Sequence, residues 1–157
     1  MPDLALQETG NGGDIQLKGN DLVITDSIFN QIYMGLFGGN PEASTTGEEL
    51  TTEQRRDWWG NNLLLQDLPD IQQNSTLERT LNEVALNSSG RLQIEEAAKK
   101  DLEFLKEIAE ITVETKIFDV DKIEIIIFAK ETENIEPQIF IFIWDATKQE
   151  LIENKVI

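Results

Sequence analysis

No cysteine and no histidine occur in this sequence. Their absence removes disulfides, thiolate nucleophiles, zinc fingers and imidazole acid–base catalysis together. Positive charge is scarce as well: 13 Lys and Arg stand against 30 Asp and Glu, for a net charge of −17. A field of that sign repels phosphate backbones and anionic membrane surfaces, so neither nucleic acid nor membrane is expected as a partner. It favours solubility and steers basic partners, although most such charge is simply solvated surface. Long apolar runs are missing too. The longest, Ile125 to Ala129 and Ile139 to Trp144, fall far short of the roughly 18 residues that a membrane helix needs. Met1 to Glu8 shows no positive leader followed by an apolar core, so it does not read as a signal peptide.

What is present suits a globular domain. The 157 residues are 39% apolar and 27% charged, near the norms for a folded chain. They are expected to form a single domain over 1–157 with enough core to need no staples.

Residues 10–26 read as a β-hairpin. Ile15 and Leu17, then Leu22 and Ile24, alternate with polar neighbours around Gly19-Asn20, a pair that tolerates the positive φ of tight turns. Asp26-Ser27 offers a helix N-cap, after which Ile28, Phe29, Ile32, Tyr33, Leu36 and Phe37 share one helical stripe. Gly38-Gly39 is expected to end that helix. Residues of about 38–54, rich in Gly, Ser, Thr and Glu, read as an exposed loop.

Farther on, Ser75-x-x-Glu78 has capping-box spacing, and Leu77, Leu81, Val84 and Ala85 make a short amphipathic helix. Asn87 to Gly90 is read as a break. A second helix is expected from about Arg91 to Glu110, with Ile94, Ala98, Leu102, Leu105 and Ile108 as its stripe. Three strands close the chain: the alternating Ile111 to Ile117, then Ile123 to Ala129 and Ile139 to Trp144, with turns at Asp119 to Asp121 and Glu131 to Pro137. The fold class is therefore α+β: an N-terminal hairpin, three main helices, and a three-stranded antiparallel meander packed on them.

Chemistry is hard to place. Adjacent carboxylates such as Glu48-Glu49 and Glu95-Glu96 arise by chance in so acidic a chain, and nothing local marks one as tuned for acid–base work. Asp14, Asp21 and Asp26 flank glycine-rich turns without EF-hand spacing, as turn-forming and capping aspartates do. Gly10 to Gly13 lacks the lysine of a phosphate-binding loop. No catalytic, cofactor-binding or metal-binding residue is assigned, and no enzymatic activity is expected.

Two segments suggest adhesion instead. Ile139-Phe140-Ile141-Phe142-Ile143-Trp144 carries no charge and has high β-propensity; at an open edge it would aggregate, so both its faces need cover. It reads either as a central buried strand or as a strand that adds to a partner. Arg56, Trp58 and Trp59 read either as core or as an interface anchor, since Trp and Arg dominate interface energetics. The interface candidates are Arg56, Trp58, Trp59, Ile139, Phe140, Ile141, Phe142 and Trp144.

Three features together resemble a known family. They are Gly13-Asp14-Ile15-Gln16-Leu17 with Asp21-Leu22-Val23-Ile24-Thr25-Asp26 and the Ile28–Phe37 helix, then Arg56-Asp57-Trp58-Trp59-Gly60-Asn61 after a polar loop, then two helices leading into closing strands. Over roughly residues 3–116 the chain is similar to the small Mu-like phage baseplate proteins, relatives of the wedge proteins of other contractile tails. That family usually shows Gly-Trp-Trp-Gly-Asp; Asp57 and Asn61 replace its first glycine and its aspartate here. The resemblance implies a baseplate location in a virion or tail-like particle assembled in the bacterial cytoplasm. It also implies many copies per particle, and contacts to other wedge proteins and to the tail sheath. Related wedge proteins have been labelled lysozyme-like, an activity that no residue here supports. The rival readings are a cell-wall glycan hydrolase using paired carboxylates, and an acidic chaperone or inhibitor of a basic partner.

Overall fold

In the computed structural model the described residues are 3–8, 13–25, 28–38, 67, 75–132 and 136–157. They form an α+β structure in which helices cover one face of an antiparallel sheet.

The N-terminal residues do more than form a hairpin. Asp3–Leu4 (β1) pairs with Ile24–Thr25 (β6), Leu6–Glu8 (β2) with Gly13–Ile15 (β3), and Leu17–Lys18 (β4) with Asp21–Leu22 (β5), all antiparallel. Each of the three extended segments changes partner at one residue: Ala5, Gln16 or Val23. There the backbone closes a triangle. The Ala5 N–H donates to the Val23 carbonyl at 2.8 Å, Val23 to Gln16 at 3.1 Å, and Gln16 to Ala5 at 2.8 Å. The expected hairpin is one arm of this junction, with Leu17 opposite Leu22 and Gly19 at φ +67° in the turn, as the first central position of a type II′ turn requires. Its ladder is shorter than expected, because Ile15 lies opposite Leu6 and Ile24 opposite Leu4.

Helix α1 (Phe29–Phe37) follows. Ile28 holds its cap position without a side-chain bond; Asp26, Ser27 and Gly39 lie outside the described residues. Gly38 ends the helix with its N–H on the Met34 carbonyl, at φ −80° rather than in the left-handed region. Buried Asn30 ties α1 to the first strand: its amide donates to Leu4 O at 2.6 Å and to Asp3 Oδ2 at 3.0 Å, and its oxygen accepts from Leu6 N at 3.3 Å. Beyond Gly38, the expected loop lies outside the described residues.

Helices α2 (Thr76–Glu83) and α3 (Ser88–Asp101) pack on each other, and α3 packs on the sheet. Three local expectations change here. Asn87 to Gly90 starts α3 instead of breaking the helix: the Asn87 side chain accepts from Ser89 N and Gly90 N, both at 3.0 Å, as an N-cap does. Gly90 is required, because a Cβ there would collide with the Ala85 carbonyl. The Ser75 side chain makes no capping bond; the Asp101 carboxylate reaches back from the end of α3 to accept from Leu77 N at 2.6 Å. Helix α3 also stops earlier than expected. It passes at Leu102 into a 3₁₀ turn (Glu103–Glu107), and strand begins at Ala109.

The closing meander has four strands: β7 (Ala109–Asp119), β8 (Lys122–Glu131), β9 (Gln138–Asp145) and β10 (Glu150–Val156), ordered β10-β9-β8-β7. The fourth escapes a sequence reading because Glu153 and Lys155 dilute it and a register shift between Leu151 and Glu153 breaks its alternation. The core face carries Val113, Ile123, Ile125, Ile127, Phe140, Phe142 and Trp144, all buried. Phe29, Tyr33 and Phe37, one turn apart on α1, form an aromatic row over it. Phe29 lies 5.9 Å from Phe140, and Phe37 lies 5.4 Å from Phe142, between ring centroids. Arg91 ties α3 to edge strand β7 by donating to the Thr115 carbonyl at 3.2 Å.

Candidate interaction surfaces

Among the described residues, Glu95, Asp101 and Lys122 are held in structural roles. Glu95 accepts from Lys99 Nζ at 2.7 Å, from Arg91 Nη1 at 3.1 Å and from Thr115 Oγ1 at 3.1 Å. The Lys99 bond leads in holding its carboxyl below the ordinary range. Neighbouring Glu96 is exposed, so the two do not form a working pair; Glu48 and Glu49 lie outside the described residues. Asp101 is the buried carboxyl. Burial pushes its pKa up to about 6, against the bonds it receives from Leu77 and Thr76. Asp119, Asp121 and Asp145 surround Lys122, whose Nζ lies 3.1 Å from Asp121 and 3.9 Å from each of the others. That ammonium occupies the space a cation would take. Asp21 is exposed and opposite Lys18. Among the described residues, no group of three or more acidic side chains is gathered to hold a metal ion. None of their helices is long and apolar enough to cross a membrane. A groove of about 670 Å³ between the 3₁₀ turn and the start of β7 has Lys99, Lys106 and Lys130 facing Glu103, Glu110 and Glu131. Its charges alternate in sign and are not focused on one point.

The expected interface strand divides into two faces. Strand β9 lies between β8 and β10, paired on both sides, so the expected edge pairing at Ile139 to Trp144 is corrected: the sheet's edges are β7 and β10. Phe140, Phe142 and Trp144 are buried in the core at 0%, 0% and 3% exposure and cannot touch a partner. Ile139 and Ile141, with Ile143, point to the other face and are half-buried. The register sets Ile141 opposite Ile126 and Ile139 opposite Phe128, both also half-buried. Five large apolar side chains therefore form one band across β8 and β9. Glu110, Glu114, Glu124, Lys116, Lys130, Glu153 and Lys155 share that face around it. Ile126 and Phe128 were missed because Ile123 to Ala129 is apolar on both faces, which hides the period-2 signal. Arg56, Trp58 and Trp59 lie outside the described residues.

Comparison with family models, with curated proteins and with solved structures gives no match.

Proposed function

We propose that the chain is a structural subunit of the baseplate of a contractile phage tail or tail-like particle. It docks neighbouring wedge proteins and offers a surface for the first sheath ring. Its work is binding, in many copies per particle, and it catalyses nothing.

Two things support this reading. One is the resemblance carried by residues 13–37 and 56–61. The other, which carries the argument, is the outer face of the sheet. An apolar band of Ile126, Phe128, Ile139, Ile141 and Ile143 on a chain of net charge −17 has the anatomy of an interface, an apolar centre within a polar, charged rim. In the assembled particle this band meets a neighbouring subunit.

The test is a single charge in the band. Ile141→Lys leaves the core face untouched, so the variant folds. Expressed in particle-producing cells in place of the normal chain, it stays in the soluble pool, whereas the normal chain sediments with particles. An Ile141→Lys variant that enters particles at the normal level contradicts the reading. So does purified protein that turns over cell-wall glycan and loses that turnover on one Glu→Gln change.

A further inference from the structure

The outer face of the sheet carries its charges in a pattern that selects one partner. The register lays that face out as a grid. From β10 to β7, one row reads Lys155, Ile141, Ile126, Glu114, and the next reads Glu153, Ile143, Glu124, Lys116. The row on the other side reads Ile157, Ile139, Phe128, Thr112. Rows stand about 6.7 Å apart and columns about 4.8 Å, so each edge column lies about 7 Å from the midline between β8 and β9. Lys155, Glu153, Glu114 and Lys116 are exposed on the two edge strands, and the apolar band between them is half-buried. Around the band Lys116, Lys130 and Lys155 stand against Glu110, Glu114, Glu124 and Glu153, a near balance in a chain with 13 basic and 30 acidic residues. Here an acidic molecule can approach its own copy with little like-charge repulsion.

Let a second copy lie face to face with the first, with a two-fold axis along the strands and midway between β8 and β9. The β10 column of each copy then faces the β7 column of the other. Lys155 faces Glu114 and Glu153 faces Lys116, each pair made twice by symmetry. Ile141 faces Ile126 and Ile139 faces Phe128. Glu124 faces Ile143 and keeps its cross-strand neighbour Lys116. An axis across the strands, through the row of Ile141 and Ile126, sets Lys155 on Lys155 and Glu114 on Glu114. An orthogonal crossing lays Glu114 over Ile143 and Glu124, or over Ile139 and Phe128. Aligned sheets cross at about 30°, which displaces facing edge residues by roughly 4–5 Å, a gap that lysine and glutamate side chains span. Within one chain Lys155 Nζ lies 2.8 Å from Glu153; both side chains are exposed, so exchanging partners costs little.

We infer that the outer face packs on the same face of a second copy of this chain, as an aligned two-sheet sandwich with its two-fold axis along the strands. This names the occupant of the band, and it rests on the assembly reading for the premise that the band is covered. The charge of −17 on each copy keeps the free association weak, with Kd on the order of 100 µM. The high local concentration of copies in a particle completes it.

The experiment is sedimentation velocity of the full chain from about 10 µM to about 1 mM, in roughly 0.15 M salt. The normal chain passes from monomer to dimer across that range. Glu114→Lys and Lys155→Glu each set like charges face to face twice, and each weakens the dimer by at least about tenfold. They move the net charge in opposite directions, so diffuse repulsion cannot explain both. Mixed in equal amounts, the two variants restore the dimer, because each supplies the charge that the other lacks. Both positions are exposed, so both variants keep the normal circular dichroism spectrum. A chain still monomeric at about 1 mM overturns the inference. So does a dimer that neither variant weakens, or a mixture that fails to restore it. If the chain stays monomeric while Ile141→Lys is still kept out of particles, the second-copy assignment falls and the assembly reading stands. If the mixture dimerises while Ile141→Lys enters particles normally, the dimer stands and the assembly reading falls.

Discussion

Asp101 should be a carboxylate that the fold is better off without. Its side chain is 6% exposed and accepts from Leu77 N at 2.6 Å at the start of α2. Burial outweighs that bond and raises its pKa from 3.8 to about 6. A folded-state pKa above the unfolded one means the folded state holds the proton more tightly. Stability through this group is therefore fully present below about pH 3.8 and is lost as pH rises to about 6. The full difference, about 2.2 × 1.36, is about 3 kcal/mol at pH 8, and about half of it at pH 5. Asp101→Asn keeps an oxygen for Leu77 and never ionises. It should gain up to about 3 kcal/mol over the unsubstituted chain at pH 8, with the gain shrinking toward pH 5. Urea unfolding followed by circular dichroism at several pH values measures this. Comparing the two proteins at each pH cancels the changing self-repulsion of the acidic surface. Asp101→Ala removes the acceptor altogether and should cost about 1–3 kcal/mol at pH 5, where the desolvation relief is smaller, through the unpaired Leu77 N–H. An Asp101→Asn protein less stable than its parent at pH 8 would refute the reasoning, because it would place the helix-capping bonds above the desolvation.

Other expectations are simpler. Trp144 is 3% exposed and its indole N–H has no partner among the described residues, so Trp144→Phe should lie within about 1 kcal/mol of the parent in the same unfolding assay, while Trp144→Ala should cost about 3–5 kcal/mol. Phe142→Ala, which empties the space under Phe29 and Phe37, should also cost about 3–5 kcal/mol, and a loss under 1 kcal/mol would show that the aromatic row does not hold α1. Trp58→Ala with Trp59→Ala should unfold the chain or stop particle formation; normal particles from that variant would remove the pair from both roles.

Much of this fold is legible where one period dominates. The α1 stripe needs no tertiary information: Ile28, Phe29, Ile32, Tyr33 and Leu36 are all buried. Strand β7 likewise shows its two faces in Ile111 to Ile117. Legibility fails where the deciding contact is remote. Asp101 caps a helix that starts 25 residues earlier, so the local Ser75 and Glu78 pattern misleads. Ala5, Gln16 and Val23 look like ordinary strand residues, and only their mutual bonds reveal a junction. The β9 run reads either as a central strand or as one that adds to a partner because polar β10 goes unseen; with β10 in place, its alternate residues separate into core and surface. Of the interface candidates, Ile139 and Ile141 remain on an outer face while Phe140, Phe142 and Trp144 do not. The apolar hairpin residues Ile15, Leu17, Leu22 and Ile24 stand largely in solvent.

The claim beneath all of this is that the sheet's outer band is covered by other protein chains when the chain is at work. Hydroxyl-radical footprinting of the free chain and of the assembled particle measures that coverage residue by residue. Phe128, Ile139 and Ile141 should each lose most of their labelling in the particle. Equal labelling of all three in both states would contradict the claim.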